Sequence, residues 1–327
     1  MAPSTRQLGS TGPQVFPLAL GCMGMSSGMY GPADESEGIA TIHAALERGV
    51  NLIDTGDFYG QGHNELLIGR ALKDRRDKAI LSVKFGAMRG PGGAWLGFDA
   101  RPAAVKNFLA YTLTRLGTDH VDIYRPSRLD ATVPIEDTIG AIADMVRAGH
   151  VRHIGLSEVG PDTIRRARAV HPISDLQIEY SLVTRGAEAK IFPALAELGI
   201  GVTAYGVLSR GLLSGSKPAG KGDFRAFLPR FAGDNRAQNQ QVIDTLQRLA
   251  AERNVSPTQL AIAWVLARGR TLVPVIGART RAQLADAVGA LDVELSAAEA
   301  ARIEQAIPAV AGTRYGEDQM RMLDSER

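Results

Sequence analysis

Eight times along this chain a short apolar run is followed by a stretch with helical spacing, and no other feature constrains the fold as strongly. The apolar runs are 16–22, 51–57, 79–85, 121–127, 151–158, 175–181, 201–209 and 271–278. The helical stretches are 36–49, 64–74, 103–117, 135–149, 161–170, 187–199, 238–253 with 257–268, and 281–291. The runs are bounded by Gly, Asp or Pro and carry almost no alternation, as strands covered on both faces should. Gly49, Gly117, Gly149 and Gly199 fall where a left-handed residue would end a helix. Eight parallel strands with a helix after each predict an α/β fold of the (β/α)8 TIM-barrel kind. The open doubly wound sheet is the rival. It wants a GxGxxG turn after the first strand, and LGCMGMSSG at 20–28 lacks that spacing.

A chain of 327 residues is ordinary for one such barrel, so a single domain over 1–327 is expected. Two segments stand outside the repeat. Residues 5–17 read as a hairpin around GSTG that closes the barrel bottom. Residues 210–236 read as a long Gly-, Pro- and Lys-rich loop of the kind that is usually functional or mobile. One more helix, SAAEAARIEQAI, and a tail follow residue 292.

Net charge of +2 gives no reason to expect nucleic acid or an anionic membrane as partner. The single cysteine, Cys22, excludes a disulfide framework and a multi-cysteine metal site, and fits a reducing cytoplasm. The first twelve residues lack the apolar core of a secretory signal, and no run of about 18 apolar residues is long enough to cross a membrane. A homo-oligomer stays open. Paired histidines or clustered carboxylates that would hold a metal are not seen, so a metal-dependent hydrolase is disfavoured.

In such a barrel the reacting groups stand at the C-terminal ends of the strands. The sequence puts Asp54 at the end of the second strand, with Tyr59 five residues on, and Lys84 at the end of the third. Ser127 and Arg128 end the fourth, Ser157 and Glu158 the fifth; Gln177 and Glu179 lie on the sixth and Tyr205 on the seventh. A lysine cation beside a phenol lowers its pKa from about 10 toward the working range. Asp54 would hold Lys84 in place and charged. The phenol then protonates a carbonyl oxygen while hydride arrives at carbon. Taken singly, Lys84 is as readily a rim ion pair, Asp54 a turn cap and Tyr59 a packing aromatic. Their shared position makes the joint reading the stronger one.

The motifs NLIDTGDFYGQGHNELLIGRAL (51–72), SVKFG (82–86), VPIEDTIGAIADMVRAGHVRHIGLSE (133–158), LQIEYSL (176–182), AYGVLSRGLL (204–213) and VPVIGARTRAQLADAVGAL (273–291) together resemble the aldo-keto reductase family. The resemblance runs in order from about residue 5 to the end, and is closest to the bacterial and plant branch that carries LGCMGMS. It implies Asp54, Tyr59 and Lys84 as three members of a catalytic tetrad. The fourth, normally a histidine after the fourth strand, is replaced by Ser127 in DIYRPSRLD (122–130). Strand alternation puts Arg125 and Ser127 on one face and Arg128 on the other. Arg125 then either takes over the lost polar role toward substrate or stands as an outer-rim arginine. The smaller serine implies a wider pocket and a weaker second hydrogen bond.

The resemblance also implies NADPH or NADP laid across the barrel mouth. Ser157 and Gln177 would hold the carboxamide and Tyr205 would stack on the nicotinamide. Gly21, Met23, Gly206 and Ile276 would stand beside it. Leu208, Ser209, Arg210 and Gly211 would form the pyrophosphate loop, where backbone N–H groups suit an anion. Gly277, Arg279, Gln283 and Asp286 fall in the adenosine segment, where Ala287 replaces a usual asparagine. Arg279 and Arg281 suit a 2′-phosphate. Tyr30, Trp95 and Phe98 in rim loops are candidate pocket walls for a bulky apolar carbonyl, although loop aromatics also pack locally. The expected activity is reduction of an aldehyde or ketone, with the reverse alcohol oxidation at the same site. The alternative is a weakly active or non-catalytic NADP(H)-binding regulatory protein on the same fold.

Overall fold

The computed structural model describes residues 5–218 and 222–327. Eight parallel strands close into a barrel. They are β1 (Ala19–Gly21), β2 (Leu52–Gly56), β3 (Ile80–Phe85), β4 (Val121–Pro126), β5 (Val151–Ser157), β6 (Ile173–Glu179), β7 (Gly201–Tyr205) and β8 (Leu272–Ile276). Neighbours in the chain are neighbours in the barrel, and β8 closes onto β1 through Val275 opposite Ala19. The outer helices are α1 (Glu35–Glu47), α2 (His63–Leu72), α3 (Pro102–Leu116), α4 (Ile135–Arg147), α5 (Pro161–Val170), α6 (Ala187–Leu198), α7 (Gly233–Ala251), α8 (Pro257–Leu266) and α9 (Arg281–Val288). The tail adds α10 (Ala297–Ala306) and the short α11 (Glu317–Arg321).

The alternation in the sequence works because each strand buries both faces. One face packs on the helices, in a core running from Phe16 to Ile303 that includes the fully buried Trp264. The other face fills the lumen, where Leu8, Val15, Ala19, Leu52, Ile123, Val273 and Val275 cluster. Above that apolar layer the lumen turns polar: Arg125, Asp175, Ser82 and Thr203 are all sealed from solvent. Gly117 (φ 66°) and Gly199 (φ 65°) end α3 and α6 in the left-handed conformation that only glycine adopts without strain.

The N-terminal hairpin pairs Arg6 with Val15 and Gln7 with Gln14. Its turn plugs the bottom of the barrel, where Ser10 donates its N–H to Gly199 O at 2.7 Å. A side chain at Gly9 would run into the Ser174 carbonyl, so this closure requires glycine there. A second hairpin, Ala87–Arg89 with Trp95–Phe98, rises from the end of β3 on the opposite, C-terminal face. The segment after β7 is less of a loop than expected: it winds through 3-10 turns at Ser209–Gly211, Phe224–Phe227 and Pro229–Phe231 into α7. Residues 219–221 of that segment lie outside the described residues.

Candidate active site

Strand register brings the rim residues together. Asp54 stands level with Gly21 and Ser82, and Lys84 is level with Gly56 and Arg125. Lys84 Nζ forms a tight ion pair with Asp54 Oδ1. Asp54 Oδ2 accepts from Ser82 Oγ at 2.9 Å and from Gln177 Nε2 at 2.8 Å. Both carboxylate oxygens are therefore engaged, which keeps a buried charge pair in one geometry. Burial pulls the Lys84 pKa below its ordinary value, with the Asp54 charge opposing.

Tyr59 leaves β2 through a loop that folds its ring over this pair, with Lys84 Nζ 5.1 Å from the ring centroid. Phe58 packs edge-on against the ring at 4.8 Å. The loop is bolted from outside: Ser26 Oγ contacts His63 Nδ1 at 2.9 Å, and His63 Nε2 contacts Glu35 Oε1 at 2.6 Å. Tyr59 Oη has no hydrogen-bond partner among the described residues. Burial raises its pKa well above the usual value, followed by the charge of Asp54, while Arg128 pulls it down. The net direction runs against the expected lowering of the phenol pKa, because burial outweighs the nearby cations, and the phenol stays protonated at neutral pH.

Around this centre the structure separates the other residues. Arg125 lines neither pocket nor rim. Its guanidinium is sealed in the lumen, donating to Asp175 Oδ2 at 2.7 Å, Asp175 Oδ1 at 3.2 Å and Ser82 Oγ at 3.0 Å. It is a bracket beneath Asp54, and the expected contact with substrate is corrected. Ser127 Oγ is closed off from solvent and has no hydrogen-bond partner. The residue that β4 sends to the mouth is Arg128, because the strand ends at Pro126 and alternation ends with it. Arg128 donates to Ser127 O at 2.6 Å, Ser157 Oγ at 3.4 Å, Tyr205 Oη at 3.5 Å and Tyr315 Oη at 3.3 Å.

The sequence gives no signal for the tail's part in the site. Arg314 forks onto Glu158 at 2.7 and 2.6 Å, and Ser325 Oγ adds a bond at 2.7 Å. Tyr205 Oη donates to the same carboxylate at 2.7 Å. Burial works against ionising Glu158, yet the Arg314 bonds and charge, with the Arg128 charge and the Tyr205 hydroxyl, bring its pKa down to about 2. Tyr315 stacks under Arg210 at 4.4 Å and touches Tyr205 Oη at 3.2 Å.

Past β7, Leu208 (φ −94°) is followed by Ser209 (φ 47°) and Arg210 (φ 56°), two residues in succession at positive φ. The Ser209 N–H donates to Gly206 O at 2.7 Å and the Gly211 N–H to Leu208 O at 2.9 Å, so the turn uses these two groups to hold itself together. Gly206 and Gly211 flank it, both at positive φ. The Arg210 side chain turns inward to Glu179 Oε2 at 2.9 Å. At the end of β8, past Ile276 and the exposed Gly277, Arg279 donates to the carbonyls of Tyr30 and Pro32 at 3.0 and 3.3 Å, and its N–H is held by Gln283 Oε1 at 2.8 Å. Among the described residues no carboxylate pairs with Arg279. Arg281 is already matched by Glu37 on α1, at 2.9 Å. Asp286 accepts from Ser256 Oγ at 2.7 Å. Gly24 lets the Arg279 stem pass, since a Cβ there would sit 3.0 Å from it. Gly21 and Met23, half-buried, stand on the same side of the mouth. Tyr30 meets Phe224 edge-on at 5.3 Å, and Trp95 is exposed on its hairpin against Phe98 at 4.8 Å.

The aldo/keto reductase family model covers residues 17–308. The chain belongs to the aldo/keto reductase family. It is 39% identical over 315 residues to a probable aldo-keto reductase 1 of Glycine max, covering 94% of this chain and 91% of that protein. Among solved structures it is similar to the glycerol dehydrogenase of Gluconobacter oxydans, with 28% identity, a TM-score of 0.84, and 99% and 97% of the two chains covered. An aldo-keto reductase from Bacillus halodurans in its holo form matches at 28% identity and a TM-score of 0.79, covering 99% of this chain and 100% of that one. Aldo/keto reductases are oxidoreductases that act on small molecules and generally use NAD(P)H, with carbonyl reduction as the general activity. Among the described residues no helix is long and apolar enough to cross a membrane, and no group of His, Cys, Asp or Glu is placed to hold a metal.

Proposed function

We propose that this aldo/keto reductase reduces an aldehyde or ketone to the alcohol with NADPH, and that Tyr59 is the general acid. The observation that carries the reading is the Tyr59 phenol: free of partners, kept protonated by burial, and seated over the Lys84–Asp54 pair. When bound, the reduced nicotinamide supplies the hydride. Tyr59 gives its proton to the carbonyl oxygen. Lys84, fixed by Asp54, stabilises the phenolate that remains until solvent returns the proton. Ser157 and Tyr205, at the ends of β5 and β7, bracket the mouth where the nicotinamide would lie. Gln177 acts through Asp54 as well, since its amide nitrogen is given to that carboxylate.

Arg279 supports NADPH over NADH. Its guanidinium has only carbonyl partners and is open to a 2′-phosphate, whereas Arg281 would first have to leave Glu37. Trp95, Leu96 and Phe98 on the hairpin above β3 support a bulky, apolar carbonyl. The Ser127 side chain supports a second reading, a nucleotide-binding protein with little turnover, because a buried, unpartnered serine hydroxyl stands where the family usually has a histidine. NADPH consumption over a panel of small aldehydes and ring ketones, run beside NADPH binding, separates the two. Turnover abolished by Tyr59→Phe with binding retained supports the reductase; tight binding with no turnover on any carbonyl supports the second reading.

A further inference from the structure

Three features of the end of β4 bear on how the reacting oxygen is held. The side chain at the histidine position, Ser127, has its hydroxyl closed off and unpartnered. The arginine two residues earlier, Arg125, is committed to Asp175 inside the lumen. Arg128 alone reaches across the mouth, from β4 past Ser157 on β5 to the phenols of Tyr205 on β7 and Tyr315 in the tail. All four of its partners are neutral oxygens, and three of the four bonds are 3.3 to 3.5 Å long. Among the described residues no carboxylate pairs with it. Glu158, the acid on the same rim, is given to Arg314.

A guanidinium whose four direct partners are all neutral oxygens, three of them at long range, has donors to turn toward an anion that arrives in its reach. One anion forms at this mouth by the chemistry proposed above. Hydride addition to the carbonyl carbon moves the two π electrons of the C=O bond onto its oxygen, which then takes the Tyr59 proton. We propose that Arg128 is a catalytic residue of this enzyme: its guanidinium donates to the carbonyl oxygen beside Tyr59 and stabilises the charge that develops there, in place of a histidine. It forms and breaks no bond. The Arg128 charge also favours the tyrosinate that Tyr59 leaves behind, against the effect of burial. Since a guanidinium does not titrate in the working range, this donor is present at every pH, whereas an imidazole would switch near pH 6.5.

The inference rests on the proposed carbonyl reduction, and the test keeps the two apart. Arg128→Ala removes a cation whose direct partners are all neutral, so it orphans no carboxylate. The single-turnover rate with a reducible carbonyl should fall by about 100- to 1,000-fold, as for loss of one oxyanion donor. NADPH affinity should stay within about threefold, and millimolar guanidinium chloride should restore part of the rate, which a merely structural role would not allow. Arg128→His should add a limb near pH 6.5 to a kcat profile that lacks one in the native enzyme. A native-like rate in Arg128→Ala overturns the assignment. So does a loss confined to NADPH affinity, which would make Arg128 a carboxamide holder, or a loss confined to KM. If the native protein reduces no carbonyl, the proposed function fails by itself. Arg128 is then judged by acetate, a small oxyanion, binding to the NADP complex. Binding that disappears in Arg128→Ala upholds an oxyanion site, and equal binding in both overturns it.

Discussion

Asp57, two residues before Tyr59, is a buried carboxyl that the fold leaves poorly served, and its replacement by asparagine should stabilise the protein above neutral pH. Oδ1 has no partner, and Oδ2 accepts one long bond, 3.3 Å, from Gly86 N–H. Burial first, and then the charge of Glu65, raise its pKa from 3.8 to about 7. An acid with a raised pKa in the folded state binds more protons folded than unfolded across that interval. Its contribution to stability is therefore neutral below pH 3.8, falls as pH rises, and reaches its full penalty above about pH 7. The interval corresponds to about 4 kcal/mol. Asparagine keeps the acceptor for Gly86 and carries no charge, but leaves its amide N–H in the place of the unpartnered oxygen, a cost of about 1–3 kcal/mol. The expected net gain at pH 8.5 is about 1–3 kcal/mol. The difference in unfolding free energy between Asp57→Asn and native protein, from urea titrations at pH 5 and pH 8.5, should grow with pH. A difference that is flat across that range refutes the argument, because it would mean that Asp57 is no less willing to ionise in the folded chain than in the unfolded one.

Tyr59→Phe should lower kcat by about 100- to 10,000-fold with NADPH binding intact, measured by steady-state kinetics beside nucleotide fluorescence titration. Arg279→Ala should weaken NADPH by about 1.5–3 kcal/mol and leave NADH nearly unchanged, read as two dissociation constants; equal losses for both nucleotides would count against a 2′-phosphate contact. Glu158→Gln should loosen the tail by breaking its fork with Arg314, a loss of about 3–5 kcal/mol, visible as faster hydrogen exchange over 313–327. Gly24→Ala should press on the Arg279 stem 3.0 Å away and weaken NADPH more than NADH in the same titration.

The alternation of strands and helices, the glycine stops and the place of Asp54, Tyr59 and Lys84 were legible in the sequence because each rests on local order. A strand buried on both faces must be apolar, a helix end must turn left-handed, and the end of a barrel strand is a fixed address in the fold. Two boundaries moved where polar residues are buried by contacts that sequence spacing does not reveal. β6 begins at Ile173 rather than 175, because Ser174 and Asp175 hydrogen-bond inside the barrel. α7 begins at Gly233 rather than 238, where Asn235 bonds to Pro229 O and Asn239 to Arg230 O.

The exchange of roles between Arg125 and Arg128 was not legible at all. Alternation is a property of a paired strand, and it lapses at Pro126, where the ladder ends; which arginine goes inward depends on Asp175, two strands away, as its counterion. Nor does anything near residue 158 announce that its carboxylate belongs to Arg314, which is 156 positions further along the chain. Short-range pattern determined the barrel and placed the three candidate residues Asp54, Tyr59 and Lys84 on its rim. Only closure of the barrel and return of the tail decided which cation faces the mouth, because that choice is made by charges distant in sequence competing for partners in one small, poorly solvated space.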